Sequence, residues 1–109
     1  MSDLTSKSCT PRSGPALERH AAERLLKHLT GWSIDADAKS LHRLFGFQSY
    51  YASISFVNAV AWIAHREDHH PELQVGYNTV MVTFSTHSVG GLSENDFICA
   101  AKVDALGTL

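Results

Sequence analysis

The amino-acid sequence predicts an α+β fold in which three helices pack on one face of a four-stranded antiparallel sheet, in the order α-β-β-α-β-β-α. Three observations lead to this prediction. Apolar residues recur at helical spacing in three segments, two pairs of short segments alternate apolar with polar residues, and a polar turn separates the members of each pair. Because strands joined by a short turn are antiparallel, the pairs also fix the type of sheet.

The composition narrows the classes of protein to consider. A length of 109 residues suits one domain, and a formal net charge of -2 offers no positive surface for nucleic acid. No apolar run is long enough to cross a membrane, and residues 1–15 lack the apolar centre of a secretory signal, so we expect a cytoplasmic protein. Cys9 and Cys99 match no metal or redox spacing and are interpreted as incidental thiols.

Residues 1–15 are expected to form a disordered tail, followed by one domain over residues 16–109. The tail is rich in Ser, Thr and Pro and has almost no apolar content, so it cannot offset the entropy of ordering. A first helix is predicted from Ala16 to Leu29, with Gly31 just past its end. Its apolar positions share one face: Leu17, Ala21, Leu25 and Leu29.

A hairpin and a long helix are predicted next. Residues 32–36 and 40–47 carry apolar residues in partial alternation around the polar segment 35–39. Between Ser49 and Glu67 neither Gly nor Pro interrupts the chain, and two apolar stripes give this helix a wide apolar face. We expect that face to cover the sheet and also to contact another subunit.

The remaining sequence predicts a second hairpin and a capped helix. Residues 72–76 and 79–86 flank the turn Tyr77-Asn78, and Gly90-Gly91 interrupts the pattern. Ser93 then stands at the expected N-cap of the last helix. Glu94 and Asp96 are interpreted as favouring the amino terminus of that helix, not as contacting a substrate.

Three of the seven histidines fall where predicted elements end. His69 and His70 follow the long helix, and Pro71 forces His70 into an extended conformation, so the two rings should point in different directions. His87 follows a strand, in a loop of the kind that often carries chemistry. Any one of these histidines alone is typical of an ordinary surface or structural residue. The three together, beside Asp68, predict a site for acid-base catalysis.

A metal site is the alternative interpretation of these histidines. His65 and His69 are four residues apart and would share a face if the long helix extended that far. No cysteine is near them in the sequence, no His-Glu-x-x-His motif is present, and Pro71 separates the rings that a metal would need to converge. The sequence therefore favours a site without a metal ion.

Four short motifs resemble those of the pterin-4a-carbinolamine dehydratases, which recycle the pterin product of aromatic amino acid hydroxylases. The motifs are Asp68-His69-His70-Pro71-Glu72, Tyr77-Asn78-Thr79-Val80, Ser85-Thr86-His87, and Gly91-Leu92-Ser93-Glu94 with Asp96. Their order and spacing match the family, and a weaker resemblance extends upstream to about residue 17. Two positions depart from the better-known animal sequences: His65 stands where an acidic residue is common, and Leu73 replaces a frequent Trp.

The resemblance implies a hydro-lyase that removes water from a 4a-hydroxytetrahydrobiopterin-type carbinolamine and yields quinonoid dihydropterin. It implies that His69 and His87 form the acid-base pair, that His70 mainly binds and orients the pterin, and that no metal or redox cofactor takes part. It also implies a homodimer or homotetramer. Further candidates for binding the pterin are Asp68, Thr86 and Ser88, and an alternative for Asp68 is to orient the His69 ring.

Two other functions stay open from the sequence. Some members of this family act as binding partners that stabilise a transcription factor dimer, and the substrate could be another pterin, for example in molybdenum-cofactor metabolism. The intact set of three histidines favours catalysis, because a binding module has no physical need for three imidazoles around one cleft.

Overall fold

The computed structural model describes residues 4–107, and its elements follow the predicted order α-β-β-α-β-β-α. The helices are α1 (Arg19–Leu26), α2 (Tyr50–Glu67) and α3 (Glu94–Asp104), and the strands are β1 (Ser33–Ile34), β2 (Leu41–Gly46), β3 (Glu72–Val75) and β4 (Thr79–Phe84). Short 3-10 turns cover Leu4–Ser6 and His87–Val89. The α+β prediction is therefore confirmed.

The four strands form one antiparallel sheet in the order β1-β2-β4-β3. Strand β4 is central, with Leu41 of β2 opposite Phe84 and Glu72 of β3 opposite Thr83. Because side chains alternate along a strand, Val80, Val82 and Phe84 all lie on the buried face of β4. This strand ends beside the segment that carries His87.

The core lies between that face of the sheet and the helices. Helix α2 contributes Phe56, Val60 and Ala64, and α3 is buried along most of its length, with Phe97 and Ile98 almost fully enclosed. Helix α3 contacts both other helices and the turn Leu4–Ser6. The amino-terminal end of α3 is thereby held rigidly beside the carboxyl-terminal end of α2.

Both of these helix ends have well-formed caps. Helix α2 stops at Asp68, which adopts the left-handed conformation (φ 52°), and the N–H of His69 donates to Ala64 O at 3.1 Å. Helix α3 begins with a capping box: the Ser93 side chain accepts from the backbone N–H of Asp96, and the Asp96 side chain accepts from the backbone N–H of Ser93. The two caps fix the backbone on either side of the candidate site.

Helix α1 is shorter than the sequence predicts. It begins at Arg19 instead of Ala16 and ends at Leu26 instead of Leu29. The N–H of Leu17 donates to Leu92 O at 2.8 Å, and Glu18 is extended, so the residues before Arg19 bind the chain preceding α3 instead of joining the helix. The periodicity placed Leu17, Leu25 and Leu29 against the core, but it missed Ala22, the fully buried residue of the helix, and the position where the helix starts.

Residues 4–15 lie against the body of the protein, where the sequence predicts a disordered tail. Leu4 is 4% exposed within the core, and the backbone of Cys9 and Thr10 binds side chains of α2 and α3. The sequence-based expectation counted the few apolar residues of the segment and not the polar partners that the helices offer. Residues 1–3 of the predicted tail, and residues 108–109 at the other terminus, lie outside the described residues.

None of the helices formed by residues 4–107 combines the length and apolar character that crossing a membrane requires.

Candidate active site

A cleft of about 400 Å³ runs between the carboxyl-terminal end of α2, the end of β4 and the amino-terminal end of α3. It collects every residue that the sequence singles out for the site: Asp68, His69, His70, Thr86, His87 and Ser88. A volume of several hundred Å³ suits a small organic molecule. Residues separated by up to 20 positions in the sequence thus share one cavity, although the roles expected of them stay predictions.

The His69 ring is the most firmly held of the three imidazoles. Its Nε2 lies 2.6 Å from Oδ1 of Asp96, and its side chain is 11% exposed. The ring also stacks on Phe84, with centroids 6.0 Å apart and planes inclined by 8°. A carboxylate on one side and an aromatic ring on its face leave this imidazole little freedom to rotate.

Asp96 is fully buried and accepts three hydrogen bonds. Its Oδ1 faces His69, while Oδ2 accepts from Thr86 Oγ1 at 2.8 Å and from the N–H of Ser93 at 2.9 Å. Because the Thr86 hydroxyl gives its proton to Asp96, the Ser93 hydroxyl donates in turn to Thr86 Oγ1 at 2.7 Å. A buried carboxylate with three donors is anchored in both position and orientation.

These hydrogen bonds determine which nitrogen of His69 is free to react. A carboxylate can only accept, so Nε2 carries the proton that bonds Asp96. In the neutral ring, Nδ1 therefore keeps its lone pair and is the nitrogen that can take up and release a proton. This pairing of a histidine with a buried carboxylate is typical of general acid-base sites.

His70 and Asp68 occupy more open positions than His69. Both are exposed at the rim of the cleft, and the left-handed backbone of Asp68 ends α2. The carboxylate that bonds Nε2 of the His69 ring is that of Asp96, and the role of Asp68 stays a prediction. The two neighbouring histidines also differ in burial, which agrees with rings that point in different directions.

A short loop closed by backbone hydrogen bonds carries His87. Thr86 N–H donates to Gly91 O at 2.7 Å, and Gly90 N–H donates to His87 O at 3.0 Å. Gly90 has φ 70°, and a Cβ on Gly91 would lie 2.9 Å from Cβ of Ala16, so the loop requires glycine at both positions. The Ser88 hydroxyl donates to Arg12 O at 2.8 Å, and Thr86 is buried beneath the loop.

Among residues 4–107, no three His, Cys, Asp or Glu side chains are grouped so that they could hold a metal ion. The pairing of His65 with His69 on one helix face does not occur, because α2 ends at Glu67 and the chain turns at Asp68. His65 instead lies against Trp62, with ring centroids 5.8 Å apart.

Sequence reasoning missed two parts of this site. Asp96 was interpreted only as a helix-capping residue, although a capping carboxylate has a second oxygen that can accept from another donor. Residues 9–12 line the cleft beside the histidines, yet they lie in the predicted tail. Asn95 also lines the cleft and binds this segment. The one signal that pointed toward Asp96 was its place in the motif Gly91-Leu92-Ser93-Glu94 with Asp96, which the family resemblance includes.

Comparisons with known sequences identify the family to which this chain belongs. Residues 15–106 match the family model described as pterin 4 alpha carbinolamine dehydratase. A protein of Nitrosomonas europaea named "Putative pterin-4-alpha-carbinolamine dehydratase" is 56% identical over 107 residues, which cover 95% of this chain and 93% of that protein. A protein of the same name from Nitrosospira multiformis is 51% identical over 106 residues, covering 95% and 92%. The chain belongs to the pterin-4-alpha-carbinolamine dehydratase family.

Two solved structures share the fold. A transcriptional coactivator/pterin dehydratase from Brucella melitensis superposes with a TM-score of 0.79 at 33% identity. The superposition covers 84% of this chain and 97% of the Brucella chain. A pterin dehydratase-like protein identified as a RuBisCO assembly factor in the alpha-carboxysome gives a TM-score of 0.63 at 27% identity, covering 75% and 96%. The family's fold thus occurs in proteins that are described by different activities.

Proposed function

We propose that this protein is a 4a-hydroxytetrahydrobiopterin dehydratase, which removes water from the carbinolamine to give quinonoid dihydropterin in support of an aromatic amino acid hydroxylase. The observation that carries the proposal is the His69 ring, held by the buried carboxylate of Asp96 in the cleft that His70 and His87 also line. A protein that served only as a binding partner, or as an assembly factor, would not require an imidazole fixed in one tautomer.

The reaction needs one proton donated and one accepted. The bond between C4a and the hydroxyl oxygen breaks, the hydroxyl leaves as water after taking up a proton, and the hydrogen on N5 is removed as the C4a–N5 double bond forms. His69, through Nδ1, and His87 supply the base and the acid, and they exchange roles when the hydroxyl lies on the opposite face of the ring. General acid-base catalysis of this kind contributes about 10²- to 10⁴-fold.

The remaining cleft residues have binding roles in this proposal. His70 and Asp68 lie at the rim, where they bind and orient the pterin. Ser88 lies on the His87 loop and contributes a polar contact to the ring. The Thr86 hydroxyl already donates to Asp96, so Thr86 reaches the substrate chiefly through its backbone or through that carboxylate.

A paired set of variants tests the proposal. The purified protein is mixed with freshly generated 4a-hydroxytetrahydropterin, and quinonoid dihydropterin is followed by absorbance above the uncatalysed rate. We expect His69→Ala/His87→Ala to lower kcat by about 10²-fold or more. The control His20→Ala/His28→Ala removes two exposed imidazoles from outside the cleft and should keep full activity. An active His69/His87 double variant, or a wild type no faster than buffer, would refute the function.

We also propose that the protein is a homodimer or homotetramer. Tyr51 and Trp62 are 81% and 60% exposed, and they lie about three turns apart on one outer line of α2. Tyr77, in the turn after β3, is 72% exposed. Large aromatic surface of this kind usually marks an interface. Sedimentation at micromolar concentration should give a multimer, and Trp62→Glu should weaken it, whereas a wild-type monomer contradicts this proposal.

A further inference from the structure

The side chain of Asn95 holds the amino-terminal segment in place. Asn95 is 5% exposed, and both ends of its amide bind the backbone of Thr10: the Thr10 N–H donates to Oδ1 at 3.2 Å, and Nδ2 donates to Thr10 O at 2.8 Å. Arg12 Nε donates to the same Oδ1 at 3.0 Å. One buried amide therefore fixes residues 10–12 relative to the first turn of α3, directly before Asp96.

The same segment is anchored by the other two elements that form the cleft. From α2, Glu67 accepts the Cys9 N–H at 2.8 Å, and from the His87 loop, the Ser88 hydroxyl donates to Arg12 O at 2.8 Å. Burial opposes ionisation of Glu67, but the hydrogen bond from Cys9 and the ammonium of Lys102 outweigh it and lower the pKa of this carboxyl. The anchors thus come from the elements that carry the histidines, although the segment is remote in sequence.

Residues 9–12 line the candidate active-site cleft together with the three histidines. A flat bicyclic ring in a cleft of about 400 Å³ contacts most of its walls. The Arg12 guanidinium donates through Nε to Asn95 and through one Nη to Glu94. Because a guanidinium has five N–H groups, further donors remain for a ligand. A pterin carries a ring carbonyl oxygen, which accepts hydrogen bonds from such donors.

We propose that residues 9–12 form a wall of the substrate site, in which the Arg12 guanidinium binds the carbonyl edge of the pterin and Asn95 is a positioning residue that keeps the wall in place. This inference rests on the proposed dehydratase function and assigns further binding residues to it. The wall contributes binding of the ring and takes no part in proton transfer. Its loss therefore raises KM and leaves kcat nearly unchanged.

Steady-state kinetics of point variants in the full chain test the wall. Asn95→Leu keeps the branched shape of the side chain but cannot bind Thr10, and Arg12→Met keeps the aliphatic stem without the donors. Each should raise KM about tenfold and change kcat less than about twofold. The control Arg19→Met removes a guanidinium that binds Asp35 O and Ala36 O outside the cleft and should leave KM unchanged. Wild-type KM in both Asn95→Leu and Arg12→Met would overturn the inference.

The two cysteines supply an independent measure of whether the wall is docked. Cys9 Sγ lies 3.5 Å from Cys99 Sγ, and the hydrogen bond with Cys9 together with burial raises the pKa of Cys99. The raised pKa disfavours the Cys99 thiolate, so oxidation of the pair depends on this short separation: a diazenedicarboxamide takes up the two thiol hydrogens as the disulfide forms. We expect rapid loss of two hydrogen atoms by mass spectrometry in the wild type and slow loss in Asn95→Leu. Cross-linking should also return KM of Asn95→Leu toward the wild-type value.

Binding of 7,8-dihydropterin, followed by fluorescence, separates failure of the wall from failure of the proposed function. If the wild type lacks dehydratase activity but binds the probe about tenfold more tightly than Arg12→Met does, the wall is supported and the function is refuted. If the wild type is active and binds the probe no more tightly than Arg12→Met does, the wall is refuted and the function stands. A wild type that neither turns over the carbinolamine nor binds the probe refutes both.

Discussion

Replacement of Asp96 by Asn is the sharpest perturbation of the candidate site. The carboxylate accepts from His69, Thr86 and the Ser93 N–H, whereas an amide has a single accepting oxygen. If that oxygen turns toward His69, the other two donors lose their partner at about 1–3 kcal/mol each. The amide therefore keeps Thr86 and Ser93, and its NH₂ group faces Nε2 of His69.

That orientation forces His69 to accept at Nε2 and to carry its proton on Nδ1, so the lone pair needed in the cleft is lost. A carboxylate-to-amide exchange beside a catalytic histidine costs up to about 10⁴-fold in rate, and loss of one acid-base group about 10²- to 10⁴-fold. We expect kcat of Asp96→Asn to fall within that range, equivalent to about 2.7–5.4 kcal/mol of activation free energy. Nitrogen NMR of the imidazole should report the change of tautomer.

A matched control exists on the same helix. Asp104 accepts from Trp32 Nε1 at 2.9 Å and from Arg43 at 3.0 Å, away from the histidines. Asp104→Asn should therefore lower the free energy of unfolding without lowering kcat. Wild-type kcat in a folded Asp96→Asn protein, with an unchanged His69 tautomer, would refute the role given to this carboxylate.

Three further outcomes are expected. His70→Ala should chiefly raise KM, because His70 is a rim residue, and a drop in kcat equal to that of His69→Ala would contradict its binding role. Ser93→Ala should lower the free energy of unfolding in urea by about 0.5–2 kcal/mol, since it removes the N-cap of α3, and an unchanged midpoint would count against the capping box. Burial alone would raise the pKa of Glu67, but the hydrogen bonds that its carboxylate accepts outweigh burial and lower this pKa. The hydrogen bond from Lys7 lowers the pKa of Glu94. In the folded protein both pKa values therefore lie below the ordinary 4.5. Their stabilisation of the amino-terminal segment is complete above pH 4.5 and is lost as the pH falls through those lower values. The protection factors of the amides of residues 9–10, which correct for the slower intrinsic exchange at acid pH, should therefore fall there before global unfolding.

The sequence was sufficient for the elements whose signals are local. Ser93 stands at the N-cap that its position predicts, and the alternation of Val80, Val82 and Phe84 correctly identifies the buried face of β4. The three histidines could be placed together because each follows an element end that the sequence marks with Pro or Gly. These features depend on neighbours a few residues away, which a single sequence displays directly.

The features that the sequence did not reveal depend on contacts between distant residues. Asp96 lies 27 residues from His69, and nothing in the spacing distinguishes a carboxylate that only caps a helix from one that also binds a ring. Asn95 lies 85 residues from Thr10, so the docking of the amino-terminal segment follows from the tertiary arrangement of α2 and α3. The start of α1 was misplaced for the same reason, because Leu17 binds Leu92.

The double use of Asp96 limits how this protein can change. One oxygen completes the start of a helix and the other holds the ring that moves protons, so selection on folding and selection on turnover act on the same side chain. An exchange that leaves no oxygen at this position, such as Asp96→Ala, removes the partner of the ring and the acceptor of the Ser93 N–H together. An engineer who wishes to change the partner of the ring must therefore keep an oxygen that accepts from the Ser93 N–H, because the side chains of Glu94 and Asn95 already bind the amino-terminal segment.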